Sequence, residues 1–233
     1  MSKEYTFEER LLVNQTDLLV QRIKPLKIAT DIDGVDAFTQ ESGLTAINNL
    51  KGTSFQLTDL KVDLVAKYLK DVRDPKKFAT EIWNSNANLS TTHVVSGALI
   101  LSRFLFEKGI NIPRITSRPS YTRDVTLEWY AQKMPWIKPE QIIMQTKSDN
   151  INFSFKVDQI KKLGIELFFE DSFEHAVNIV ENTDAKVVLI PHYWNEDFIL
   201  KEVFRYKNIL VPHRGIETPA KLINVFASLI NFM

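Results

Sequence analysis

The stretch Ile28-Ala29-Thr30-Asp31-Ile32-Asp33-Gly34-Val35 runs from apolar residues into two aspartates one residue apart, then a glycine. Short apolar runs closed by glycine read as buried strands. Aspartate is depleted inside strands and common just past them, so Asp31 and Asp33 are expected at the strand's carboxyl end. That edge is where open α/β sheets bind ligands. There the first carboxylate can attack a phosphorus atom or hold a cation. A sharp turn at Gly34 can bring the second back over the same spot. The plainer alternative is a strand that ends in two solvated acids.

Working outward, further apolar runs end at Thr116, Met144, Phe169, Ile190 and Val211, and helical stretches separate the earlier ones. Strands alternating with helices predict an α/β fold built on a parallel, Rossmann-like sheet of about six strands. Upstream, Phe7, Leu11, Leu12, Leu18, Leu19 and Ile23 recur at helical spacing, which predicts an amphipathic helix over 5–23 that Pro25 ends. Between the first strand and Asn88 strand signals are few, and the region reads as a helical insertion. One helix is expected at Leu60–Leu69 and another from Asp74-Pro75, an N-cap followed by a first-turn proline. A stronger helix is expected from about Thr92 to Lys108, closed by Gly109.

The 233 residues are 44% hydrophobic and 25% charged, as in an ordinary globular protein, and suit one large domain or one with a sizeable insertion. Lys+Arg and Asp+Glu both number 29, so nothing advertises a long nucleic-acid footprint or an anionic membrane partner. The absence of cysteine excludes disulfides and thiolate metal sites. No signal pattern opens the chain and no apolar stretch is long enough to span a bilayer, so a soluble, cytoplasmic protein is expected. The few glycines form neither GxGxxG nor a P-loop.

Three further segments carry complementary chemistry. Ile112-Pro113-Arg114-Ile115-Thr116-Ser117-Arg118-Pro119 is a short strand ending in hydroxyls and an arginine. Thr116 and Ser117 can form a phosphate cradle with the following helix, or simply cap it. Phe155 to Gly164 reads as a helix with Lys156 in its first turn, where the helix dipole disfavours a cation. From there a lysine can lean across the sheet edge and neutralise an anion. Ile165-Glu166-Leu167-Phe168-Phe169-Glu170-Asp171-Ser172 is a second apolar run ending in paired acids. Glu170 and Asp171 can mark a helix N-terminus. Alternatively, two acid pairs at neighbouring strand ends become tolerable together around a hard divalent cation such as Mg²⁺.

Taken together, DIDGV, ITSR, Lys156 and FFEDS resemble the four motifs of the haloacid dehalogenase (HAD) superfamily, in its phosphatase branch, over roughly residues 26–190. The resemblance implies a Rossmann-like hydrolase core with Asp31 as nucleophile and Asp33 as general acid/base. It implies that Thr116, Ser117 and Lys156 bind the phosphoryl group. Asp31, the backbone carbonyl of Asp33, and Glu170 or Asp171 would hold Mg²⁺. The core would comprise residues 1–36 and 111–233, with residues 1–24 as an N-terminal helical extension. Residues 37–110 would form a small helical cap, as in the deoxyribonucleotidase-like members. The segment Val187 to Asn195 resembles those members' strand-plus-asparagine segment after the acidic motif. Dehalogenase members lack the second aspartate. Departures are Asp36 where an aliphatic residue is usual, Phe38 where an acid is frequent, and Glu170 in place of aspartate.

The expected activity is therefore Mg²⁺-dependent hydrolysis of a small phosphorylated substrate, a 5′-nucleotide by preference, through an aspartyl-phosphate. The alternatives are a binding or regulatory protein that kept the fold without turnover, and phosphoryl transfer to another acceptor, as in a phosphomutase. Of the remaining residues, His93, His175, His192 and His213 show no metal-ligand spacing. His175 is expected at the surface, and His192 either solvated or near substrate. Phe55, Phe78 and Trp83 are expected to form the insertion's own small core or to stack on a base. Arg118 and Arg123 are expected to touch phosphate or to cover apolar surface.

Overall fold

The computed structural model describes residues 17–18, 20–21, 24–61, 69, 71–145 and 153–212. Six strands form one parallel sheet: β1 Ile28–Thr30, β2 Arg114–Thr116, β3 Ile142–Met144, β4 Leu167–Glu170, β5 Lys186–Leu189 and β6 Ile209–Leu210. Their order across the sheet is β3-β2-β1-β4-β5-β6. The chain winds outward in one direction through β1, β2 and β3, then returns to the centre and winds the other way. The reversal lies between β1 and β4, and such a switch point opens a crevice at the carboxyl ends of the strands.

Strand side chains alternate between the two faces, and each face has its own core. Ile28, Leu167, Phe169 and Val188 pack with Leu101, Leu105 and Ile112. Ala29, Phe168, Val187 and Leu189 pack on the other side with Val157, Ile160, Ala176 and Ile179. Leu101 and Leu105 belong to α4 (Ser96–Glu107), Val157 and Ile160 to α6 (Phe153–Leu163), Ala176 and Ile179 to α7 (Phe173–Asn182). Burial on both faces explains why the strands read as continuous apolar runs. A third cluster joins Ile32, Ala98 and Met144 to Trp129, Tyr130 and Met134 from the region of α5 (Arg123–Lys133).

Between β1 and α4 lie α1 (Thr39–Lys51), α2 (Pro75–Trp83) and α3 (Asn86–Thr91). Asp74 caps α2 as expected, its carboxylate accepting the Lys77 N–H at 3.0 Å. The helix expected from Thr92 instead starts at Ser96, because Val94 forms an antiparallel bridge with Ala37 and the backbone there is extended. Phe38 N–H donates to His93 O and Val95 N–H to Asp36 O, so the two connections into the helical layer run as a paired ribbon. α1 packs against α2 and α3, and α3 also meets α5. The helix expected at 5–23 lies mostly outside the described residues. That at Leu60–Leu69 does so beyond a 3₁₀ turn at Leu57–Lys61. His213 is also outside them. Among the described residues no helix is long and apolar enough to cross a membrane.

Candidate active site at the carboxyl edge of the sheet

Strand register brings the two acidic motifs together. Thr30 pairs with Phe169, and the Asp31 N–H donates to Phe169 O at 2.9 Å, so Asp31 lies beside Glu170 at the switch point. The Lys156 ammonium reaches over from α6 and donates to Asp31 Oδ2 and to Glu170 Oε2, both at 2.7 Å. The dipole cost of a lysine in that first turn is offset by two buried carboxylates. Glu170 Oε1 accepts the backbone N–H groups of Asp171 and Ser172 at 3.1 and 3.0 Å.

Asp31, Glu170 and Asp171 each present an oxygen within 4.8 Å of the others, and all three are buried. Against three carboxylates stands one lysine, and close like charges in a low dielectric oppose ionisation. Burial pushes Asp31 up to about 7; Lys156 opposes this and the neighbouring carboxylates add to it. Burial, then Glu170 and Asp31, hold Asp171 well above the usual carboxylate range. Burial would raise Glu170 too, but Lys156, His175 and the N–H donors outweigh it and hold it low. Lys156, buried between its partners, has its pKa raised further by the two carboxylates.

These residues fit a hard divalent cation. Asp31 Oδ1 is buried with no hydrogen-bond partner among the described residues, a state that costs free energy unless something else is bound there. An all-oxygen donor set of carboxylates suits Mg²⁺.

Asp33, two residues after Asp31, is held by Arg118. The guanidinium Nε donates to both carboxylate oxygens at 3.1 and 3.0 Å, its NH2 donates to Oδ1 at 2.7 Å, and its NH1 is anchored on Thr126 Oγ1 at 2.9 Å. Burial would raise the Asp33 pKa, but the Arg118 charge overrides it and the net shift is downward. Arg118 therefore does not cover apolar surface: only 2% of its side chain is exposed, and its guanidinium is paired with Asp33. Thr116 is buried at the end of β2, its Oγ1 accepting the Arg118 backbone N–H at 3.2 Å. The neighbouring Ser117 Oγ is a second buried polar atom with no partner among the described residues.

The loop after β5 fastens both acidic turns. Asn195 Nδ2 donates to Asp171 O at 2.6 Å and to Ile190 O at 2.8 Å. Trp194 Nε1 donates to Asp171 Oδ2 at 3.0 Å. His192, half-buried rather than solvated, stacks on Trp194 with ring centroids 4.1 Å apart and lies 2.6 Å through Nε2 from Gly34 O. That contact requires the Nε2–H tautomer. Gly34 has φ +71°, and a Cβ there would collide with the Asp171 carboxylate, so the turn needs glycine twice over. His175, expected at the surface, is half-buried. Burial and the nearby Lys156 charge push its pKa down to about 4, so it is neutral at pH 7.

The sequence did not anticipate three contacts: the Arg118–Asp33 pair, the Trp194 donor, and a buried network around Asp36. There Arg114 Nε donates to Asp36 Oδ2 at 2.9 Å, Tyr130 OH donates to the same oxygen at 2.8 Å, and Arg114 NH2 donates to Ser102 Oγ at 2.8 Å. The unusual Asp36 and the strand-borne Arg114 were the available signals. Nothing in sequence marked Trp194.

No family model matches the chain. Among curated proteins it is similar to "Putative nucleotidase YqfW" of Bacillus subtilis (strain 168), 24% identical over 190 residues, spanning 79% of this chain and 90% of that protein. Among solved structures it is similar to a HAD hydrolase, family IA, variant 3, from Entamoeba histolytica, with TM-score 0.52, 17% identity, and 87% of this chain and 99% of that one covered. It is likewise similar to CbbY from Rhodobacter sphaeroides in complex with phosphate, with TM-score 0.52, 14% identity, and 84% and 99% covered. At such identities the likeness is one of fold. The fold of this chain is that of the haloacid dehalogenase-superfamily hydrolases, and the four motifs that resemble that superfamily lie along the carboxyl edge of its sheet.

Proposed function

We propose that this chain is a phosphomonoester hydrolase acting through an aspartyl-phosphate on Asp31. The observation that carries the reading is the buried Asp31 carboxylate at the switch point, with an oxygen unpartnered among the described residues, flanked by Lys156 and two further acids. In the first step an Asp31 carboxylate oxygen attacks the ester phosphorus, the bond to the leaving oxygen breaks, and Asp33 gives that oxygen its proton. In the second, a water oxygen attacks the phosphorus, Asp33 takes the water proton, and the bond to Asp31 breaks to release inorganic phosphate. Lys156 offsets charge on the phosphoryl oxygens, with Thr116 and Ser117 as hydroxyl partners. A Mg²⁺ ion held by Asp31, the Asp33 carbonyl, and Glu170 or Asp171 would supply further charge stabilisation.

We take the helical segment within 37–110 as the cap, and a small phosphorylated molecule as the substrate. The YqfW likeness favours a nucleotide, and a 5′-nucleotide is the form we propose. The phosphate in the CbbY structure is in keeping with phosphoryl chemistry on this fold. The test is phosphate release from a panel of aryl phosphates, sugar phosphates and nucleotides, with Mg²⁺ or EDTA, for wild type and Asp31→Asn. Release that needs Mg²⁺ and disappears in the variant is expected. Unchanged turnover by Asp31→Asn sinks the mechanism.

One observation favours a second reading, a fold kept for binding without turnover: Asp33 is clasped by Arg118, which disfavours its protonated, acidic form. A panel without a hit, together with saturable binding of a phosphorylated ligand, would favour it.

A further inference from the structure

Asp171 is held by side chains that belong neither to its own strand nor to the helix after it. Trp194 Nε1 donates to Asp171 Oδ2 at 3.0 Å, and Gln40 Nε2 donates to the same oxygen at 3.2 Å. The bare Cα of Gly34 closes on the same carboxylate. With Oδ2 committed to two N–H donors, Oδ1 is the oxygen this carboxylate has to offer. The indole is itself fixed, since it stacks on His192, whose Nε2–H is given to Gly34 O. Gln40 is the second residue of α1, so its amide ties the helical layer directly to the acidic cluster.

We propose that Trp194 and Gln40 are positioning residues that set Asp171 in place for a divalent cation and so determine how tightly the ion is held. The inference rests on the cation reading given above. A carboxylate free to rotate must lose that freedom when the ion arrives; one already held by two neutral donors does not. Outer contacts of this kind typically change metal affinity by about 10–100-fold when removed.

The experiment titrates the full chain with Mn²⁺ and follows the paramagnetic resonance signal of the free ion. Trp194→Phe keeps the stacked ring and deletes the N–H; Gln40→Leu keeps the bulk and deletes the amide. Affinity is expected to fall about tenfold in the first, several-fold in the second, and up to about 100-fold in the double variant. At saturating Mn²⁺, kcat should return to within about twofold and KM for an aryl phosphate should not move, as for an effect confined to ion binding. In EDTA all variants should melt within a few degrees of wild type. Equal Mn²⁺ affinity in wild type and variants overturns the proposal, as does a kcat loss that excess Mn²⁺ does not repair. A variant that melts early in EDTA marks that residue as structural and overturns the proposal for it, leaving the other variant as the test. A wild-type protein that takes up no Mn²⁺ is a distinct result, and it removes the cation reading itself.

Discussion

Two clusters of buried charge begin within the same turn after β1, and they are built to opposite ends. Around Asp36, one carboxylate meets one guanidinium and one phenol, and the rest of that guanidinium is taken up by Ser102 Oγ and the Ile112 carbonyl. Charge is balanced within the cluster and Asp36 has two donors on one oxygen. Around Asp31, among the described residues, three carboxylates face one lysine, one oxygen has no partner, and two of the acids resist ionisation. The first cluster is complete as it stands. The second becomes complete only with something bound. Burial of charge alone therefore does not mark a functional site; an imbalance the fold leaves in place does.

That contrast can be broken most forcefully at Asp31. Asp31→Asn should lower phosphate release by roughly 10⁴-fold or more, because it deletes the proposed nucleophile and not a supporting contact. The same variant should stay folded and, in EDTA at pH 8, melt at or above the wild-type temperature. The contrast fails if Asp31→Asn unfolds the protein, since the acid would then be holding the structure together.

Asp36 should behave in the reverse manner. Removing one partner of a buried pair leaves the other charge uncompensated, at about 3–5 kcal/mol. Asp36→Ala should therefore melt roughly 10 °C or more below wild type, given about 2–4 °C per kcal/mol for a chain of this size. Replacing both members, as Asp36→Leu with Arg114→Met, should recover most of the loss. A double variant no better than the single would show that the pair contributes more than balanced charge.

Arg118 stands between these cases. It is buried like the structural pair, yet its carboxylate partner retains 30% side-chain exposure and faces the site. Arg118→Leu should cost little stability, because water can reach the released Asp33. It should lower kcat/KM by about 10²-fold, the low end of what a positioned acid–base group contributes, if Asp33 has the proposed role. Since the pairing holds the Asp33 pKa down, its removal should move the Asp33 limb of the pH–rate profile upward. A profile that keeps its position would mean that Asp33 is not the group being titrated.

How much of this was legible beforehand follows from where each signal resides. Strand ends were readable because the DIDGV and FFEDS runs break abruptly from apolar to acidic, and parallel order follows from alternation with helices. Convergence of Asp31 with Glu170 was readable once both were placed at strand exits, since neighbouring parallel strands deliver their ends to one edge. Lys156 was legible from its place in a helix's first turn, where the dipole disfavours a cation, and from the resemblance to the HAD motifs. What stayed hidden depended on side chains reaching across the sequence. Arg118 reads as a surface or phosphate-binding arginine until Asp33 is seen 85 positions earlier in chain order and in direct contact. His175 sits in what looks like an exposed helical turn, and only packing of α7 beside Lys156 makes it half-buried. The start of α4 was misplaced because a two-residue bridge to Ala37 leaves no periodic signature.

The smallest effect, and the sharpest on the imbalance itself, is in pH. In the cation-free protein Asp31 is raised to about 7, chiefly by burial, above its ordinary value of 3.8. A group raised on folding contributes stability that is fully present below its unfolded pKa and lost as pH rises through the folded one. Stability in EDTA should therefore decline between about pH 4 and 7 through this group, and Asp31→Asn should flatten that decline. A cation needs the ionised form, so protons and Mg²⁺ compete for the same oxygens. Through Asp31 alone apparent Mg²⁺ affinity should then weaken by up to about tenfold per pH unit below 7, and displacing the proton of Asp171 should steepen that fall and extend it to higher pH. Measuring Mg²⁺-induced melting shifts from pH 5.5 to 8.5 gives both halves at once: EDTA curves should fall with pH while the Mg²⁺ increment grows. An increment independent of pH would mean that the ion binds where no titrating carboxylate is displaced, and the acidic cluster would lose its claim to be the incomplete one.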